Sequence, residues 1–256
     1  MPDKDTIKKQ AGGPPLRGQI PAPPPANTYT PQDRDTLQHK SADATEEHLV
    51  LATDLVVGKL AANRVPYALM GGFSLRIRGS ARLTLDADLA VGGTMLALKT
   101  AISGDPRILL PRGPVSGVMR AYVRVGGPLN SMLSEVPVCV DLITEGSLGA
   151  PDNILGGSEE VEGMTDAGMR TYRVVDMQHI LASKLAAFHA RGNLDSNDFK
   201  DLLWILLTSN HSAQVREVSG NLSLEDKQVF LAAVLRSRPK LSAGRIQRIK
   251  QLLRMA

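Results

Sequence analysis

The stretch from Leu83 to Val91 admits few folds. Leu83, Leu85, Ala87, Leu89 and Val91 alternate with Thr84, Asp86 and Asp88, the two-residue period of a strand with one apolar and one polar face. Asp86 and Asp88 therefore project from the same face, and both carboxylates can reach one metal ion. Two like charges this close disfavour each other unless a cation or water neutralises them. The same pattern also fits a strand whose polar face simply meets solvent.

What precedes this strand narrows the choice. Tyr67-Ala-Leu-Met70 is a short apolar strand that runs into Gly71-Gly72, and a short helix fits 73–79. Glycines at such a turn let an anion approach the backbone, where a helix N-terminus supplies N–H donors and Ser74 can add a hydroxyl. A phosphate cradle then stands next to a metal clamp. A third carboxylate follows on the strand Val136–Thr144, which is apolar on both faces except for Asp141. A lone acid on a buried strand is costly without a partner. That partner is either a metal shared with Asp86 and Asp88 or an arginine such as Arg124.

Around this centre the chain predicts an α+β architecture. Residues 1–42 hold eight of the sixteen prolines and almost no large apolar side chains, so they are expected to form a disordered Pro-rich tail. A helix is expected over 43–63 and another over 94–103, with a strand at 119–125. Residues 145–169, rich in glycine and acids, read as a loop or insertion. Helices are then expected over 176–191, 195–209, 223–236 and 242–254. The domain boundaries that follow are 1–42, 43–175 for the sheet-bearing domain, and 176–256 for a C-terminal helical domain with a basic tail.

Charge is uneven. The net charge is +4, but residues 236–256 carry seven Lys/Arg and no acid, so the high pI does not mark the whole chain as a nucleic-acid binder. The basic end fits RNA or a solvated face. No apolar run approaches the roughly 20 residues that span a bilayer, so no membrane role is expected. A single cysteine, Cys139, excludes an internal disulfide and points to an intracellular, cytoplasmic protein. The five histidines lack metal-ligand spacing.

Gly71-Gly72-Phe-Ser74, then Arg82-Leu-Thr84-Leu-Asp86-Ala-Asp88, then Asp141, resembles the nucleotidyltransferase superfamily. Further on, Ser183-Lys184-Leu-Ala-Ala-Phe188-His-Ala-Arg191 and Asp198-Phe-Lys-Asp201 resemble the AbiEii-like branch, which includes type IV toxin–antitoxin toxins and many fungal proteins. The resemblance covers about residues 65–207. It implies a polymerase beta-like nucleotidyltransferase fold, a small mixed sheet flanked by helices, followed by the helical region. It also implies Mg²⁺ or Mn²⁺ on Asp86, Asp88 and Asp141, and a nucleoside triphosphate such as ATP on Gly71, Gly72, Ser74 and Lys184. Arg82 and Thr84 are implied as supporting residues.

The downstream residues have a physics of their own. On a helix from 176, Ile180, Lys184, Phe188 and Arg191 form one stripe. Lys184 then meets phosphates in a cleft, snorkels past the core edge, or pairs with Asp198 and Asp201, and Arg191, Asp198 and Asp201 are expected to be an ion-pair network bracing the site. The expected activity is transfer of a nucleotide from a nucleoside triphosphate to an acceptor hydroxyl, whether on RNA, protein or a small molecule. The alternatives are a non-catalytic nucleotide-binding module and a toxin-like enzyme acting on RNA. Oligomeric state is not legible in the sequence.

Overall fold

A computed structural model describes residues 27–129, 133–237 and 241–255; the expected tail over 1–26 lies outside the described residues. In chain order the elements are β1 (Thr28–Tyr29), α1 (Pro31–Ser41), α2 (Glu46–Ala62), β2 (Tyr67–Met70), α3 (Gly71–Ile77), β3 (Asp86–Val91), α4 (Met95–Ile102), β4 (Ile108–Pro111), β5 (Val118–Val125) and β6 (Val136–Thr144). They continue with β7 (Ser158–Thr165), β8 (Gly168–Val175), α5 (Met177–Arg191), α6 (Asn197–Leu207), α7 (Ser212–Val218), α8 (Leu224–Arg236) and α9 (Ala243–Leu252). The fold is α+β. Among the described residues its mixed sheet has eight strands in the order β1-β4-β5-β6-β3-β2-β8-β7.

The sheet is built outward from β6, whose first eight residues are all buried. A strand covered on both faces needs apolar residues at nearly every position, and Val-Pro-Val-Cys-Val-Asp-Leu-Ile supplies them. β3 runs parallel to β6 on one side, and β5 runs antiparallel on the other. Ala87, Leu89 and Val91 join Val138, Val140 and Leu142 under α2 and α4, where Leu49, Val56, Leu60, Leu98 and Ile102 complete one core. The opposite face carries Ala90 and Ile143 into a second core with α5, α6, α8 and α9. Apolar packing is thus continuous across the expected boundary after residue 175. Phe188, Phe199 and Phe230 meet at its centre with ring centroids 5.3–5.8 Å apart.

Three expectations are corrected. Residues 27–41, assigned to the disordered tail, instead form β1 and α1. The low apolar content misleads here because local hydrogen bonds and one anchor suffice. Thr30 and Asp33 form a capping box, Pro31 stands in the first turn, and Tyr29 is buried edge-on to Tyr122 at 5.3 Å. The expected loop over 145–169 contains β7, which pairs antiparallel with β8. β7 is an edge strand bearing Glu159, Glu160 and Glu162, charges that suit an edge and hide the strand pattern.

β3 also starts at Asp86 rather than Leu83. The chain enters α3 at Gly71, so β2 offers no partner beyond Met70↔Asp88, and the register with β6 begins at Asp86↔Cys139. Leu83 and Leu85 are left 69% and 47% exposed. β4, β8 and α7 had no counterpart in the sequence reading.

Candidate functional site

Asp86, Asp88 and Asp141 stand on the sheet face opposite α2 and α4. Asp88 is in register with Asp141 on the neighbouring parallel strand, about 4.8 Å away by ordinary strand spacing. Asp141 is buried, whereas Asp86 and Asp88 are partly exposed.

The turn between β2 and α3 fits beneath Asp88. Gly71 has φ +63°, and a Cβ there would lie 1.8 Å from Asp88 Oδ2. At Gly72 a Cβ would lie 2.5 Å from Arg82 Nη2 and 3.0 Å from Thr84 Oγ1. The glycine pair therefore admits the functional side chains themselves: the Asp88 carboxylate lies over Gly71, and the Arg82 guanidinium over Gly72. Thr84 Oγ1 donates to Asp86 Oδ1 at 2.7 Å, which orients that carboxylate. Ser74, expected to face an anion, is fully buried and donates to the Gly71 carbonyl at 2.9 Å, so it shapes the start of α3.

Burial, followed by the charges of Asp86 and then Asp141, pushes the Asp88 carboxyl up to about 7; Lys184 and Arg120 act in the opposite direction. The site thus holds more negative charge than it can easily keep ionised. Asp141 has the arginine partner that was one of its two readings, but the residue is Arg120, directly across on β5. Arg120 Nε and Nη2 donate to Asp141 Oδ1 and Oδ2 at 2.8 and 2.7 Å. Arg124 lies opposite Pro137 instead. As the side chains stand, no group of three or more His, Cys, Asp or Glu among the described residues is arranged to hold a metal ion. Cys139 is buried beside Asp141, and burial first, then the neighbouring acids, pushes its thiol up to about 12.

Lys184, placed on the outer phosphates by the resemblance, takes the ion-pair arrangement. Its Nζ donates to Asp198 at 3.1 Å and lies 2.8 Å from Asp201. Arg82 grips Asp201 through Nε and Nη2 at 2.6 and 3.0 Å, and Arg191 pairs with Asp198. The chain Arg82–Asp201–Lys184–Asp198–Arg191 ties α5 and α6 to the segment before β3. Asp198 and Asp201 are almost fully buried, so each charge depends on its partners.

Sequence reasoning missed Arg120 and the ground beyond it. Asp141 and Arg120 also line a cavity of about 440 Å³ whose far wall comes from β1, α1 and the segment after β4. β5 does alternate buried Met119, Ala121 and Val123 with Arg120 and Arg124, but which strand it pairs with is not local information.

No protein-family model matches this sequence, and no curated protein matches it. Among solved structures, the chain is similar to a candidate nucleotidyltransferase from H. pylori, at 17% identity over 82% of this chain and 92% of that one, with a TM-score of 0.43. It is also similar to the antibiotic-resistance factor ANT(2'')-Ia, at 14% identity, 77% and 95% coverage and a TM-score of 0.41. A third is the Thermotoga maritima CCA-adding enzyme solved with tRNA, at 13% identity, 85% and 50% coverage and a TM-score of 0.34. Among the described residues no helix is long and apolar enough to cross a membrane.

Proposed function

We propose that the protein is a nucleotidyltransferase of the AbiEii-like branch, which transfers a nucleotide from a nucleoside triphosphate to an acceptor hydroxyl and releases pyrophosphate. One observation carries this reading: Asp86 and Asp88 share a sheet face with Asp141 in register, and the Asp88 carboxylate lies directly over Gly71 at the β2–α3 turn. A strand pair that concentrates acids above a glycine turn is costly to fold and contributes nothing to packing.

The donors at this site are hard oxygens, and Asp88 resists ionisation because it is buried and because Asp86 and Asp141 add negative charge beside it. Asp86 and Asp88 therefore fit a hard dication. Asp141 joins them only by releasing Arg120. Bound there, Mg²⁺ or Mn²⁺ would supply neutralisation of the charge on the phosphate oxygens.

The chain's own residues do the positioning. Gly71 and Gly72 leave room for the Asp88 carboxylate and the Arg82 guanidinium, and Thr84 holds Asp86 in the orientation a ligand needs. The ion-pair network keeps Arg82 over Gly72 and braces the site against movement of the helices. The acceptor oxygen forms a bond to the α-phosphorus, pyrophosphate leaves with the electron pair of the broken bond, and the acceptor proton passes to water, or to Asp141 once Arg120 has released it. The setting is cytoplasmic, in keeping with one buried, unpaired thiol.

The engagement of Asp141 by Arg120 and of Lys184 by Asp198 and Asp201 favours one second reading, a module that binds nucleotide without turning it over. Incubating the full chain with α-labelled nucleoside triphosphates, Mg²⁺ and total RNA or lysate separates the two. Transfer predicts a labelled product that disappears in Asp86→Ala, and the nature of that product names RNA, protein or small molecule as acceptor. A Mg²⁺-dependent rise in melting temperature with ATP but no labelled product supports the module instead.

A further inference from the structure

The cavity beyond Asp141 has a chemistry that the donor side does not use. Among the described residues three arginines line it: Arg34 from α1, Arg112 from the segment after β4, and Arg120 from β5. Only Arg120 is fully committed, to Asp141. Arg34 has a weak side-chain contact with its exposed neighbour Asp35 at 3.4 Å. Among the described residues the Arg112 guanidinium has no hydrogen bond or ion pair. Asp141, the single acid among the described residues of the wall, is already paired with Arg120, so this lining keeps an excess of positive charge.

The rest of the wall is apolar and stiff. Pro31, Pro111, Pro114 and Val115 line it, and proline fixes the backbone before a ligand arrives. The wall is also tied together. Arg112 N–H donates to the Tyr29 carbonyl at 2.9 Å, and the Tyr29 hydroxyl donates to the Arg120 carbonyl at 2.8 Å. Without β1 and α1 the cavity would lack one side.

From this geometry we infer that the cavity binds a small molecule with an apolar body and a phosphate or carboxylate group, the anion held by the Arg34 and Arg112 forks. Guanidinium forks match either anion in two-point contact. Resting on the nucleotidyl-transfer reading, this molecule is the acceptor: with its anion on the arginines at the mouth, it presents its hydroxyl past Arg120 toward Asp141. A volume of about 440 Å³ suits a small metabolite and not a polymer end threaded through it.

Calorimetric titration of the full chain with phenyl phosphate, benzoate, inorganic phosphate and phenol tests this, with MgATP titrated in parallel. Phenyl phosphate or benzoate is expected to bind at least about tenfold more tightly than inorganic phosphate or phenol, because only these two offer both the anion and the apolar body. The tighter of the two identifies the anion as phosphate or carboxylate. Arg112→Ala and Arg34→Ala, both at exposed positions, should each weaken that binding about tenfold or more while leaving MgATP affinity within about twofold. Equal binding by wild type and both variants overturns the inference, as does displacement of the probe by MgATP, which would give the cavity to the donor. Arginine-dependent probe binding by a chain that does not bind MgATP upholds the anion site and removes nucleotidyl transfer, so the two failures are distinguishable.

Discussion

At the scale of single residues, the site depends on what is missing from Gly71. A side chain there would occupy the position of the Asp88 carboxylate, and the left-handed backbone would be strained besides. Gly71→Ala is expected to cost more than about 1–2 kcal/mol in urea unfolding, the backbone strain alone accounting for that much, and to abolish nucleotide binding by displacing Asp88. Asp88 itself sets a pH dependence. Its carboxyl rises to about 7 in the folded chain from an ordinary 3.8, so the folded state binds more protons than the unfolded state between those values. Stability contributed by this group is present at low pH and is lost as pH rises toward and through 7. Asp88→Asn should therefore be more stable than wild type at pH 8, with an advantage that shrinks toward pH 4 in paired denaturation curves. Adding Mg²⁺ at pH 8 should stabilise wild type and leave Asp88→Asn unchanged.

Among the elements, the ion-pair network shows how far a local pattern can be read. Lys184, Arg191, Asp198 and Asp201 lie on neighbouring helices, and their helical spacing brings them onto facing stripes, which is why the network was legible. That Lys184 would settle on Asp198 and Asp201 was one of three readings, and only the packing of α5 on α6 decides among them. Asp201→Asn leaves Lys184 and Arg82 short of a buried partner and should cost about 3–5 kcal/mol, the range for breaking a buried ion pair from one side. The strand, turn, helix and strand from Tyr67 to Val91 were legible because periodicity and glycine placement are local. β7 was not, because an edge strand carrying Glu159, Glu160 and Glu162 lacks apolar alternation. α1 was not, because its order comes from the Thr30 capping box and the burial of Tyr29, not from an apolar face. Thr30→Ala should cost about 1 kcal/mol, read as a lower melting temperature. Arg120 escaped notice for a different reason: only the register of β5 on β6 sets it against Asp141.

Across the whole molecule, the N-terminal segment links fold and function. β1 and α1 cover Tyr122 and Cys139 and also wall the cavity next to Asp141. In the intact chain the Cys139 thiol is buried and pushed up to about 12, so a thiol reagent at pH 8 should label it only on global opening. Deleting residues 1–42 should make that labelling faster by about tenfold or more, because local exposure replaces global opening as the route. Unchanged labelling would mean that β1 and α1 do not cover this end of the sheet.

The proposed transfer rests on a metal–nucleotide complex bound by Asp86 and by Asp88, whose carboxylate lies over Gly71. Equilibrium binding of Mn²⁺ with ATP, followed by loss of the free-Mn²⁺ paramagnetic resonance signal, tests it most directly. Wild type should take up Mn²⁺ in an ATP-dependent manner, and Asp86→Ala and Asp88→Asn should each weaken that uptake by about tenfold or more, as expected when a charged ligand of a hard cation is removed. Equal uptake by wild type and both variants would contradict the account.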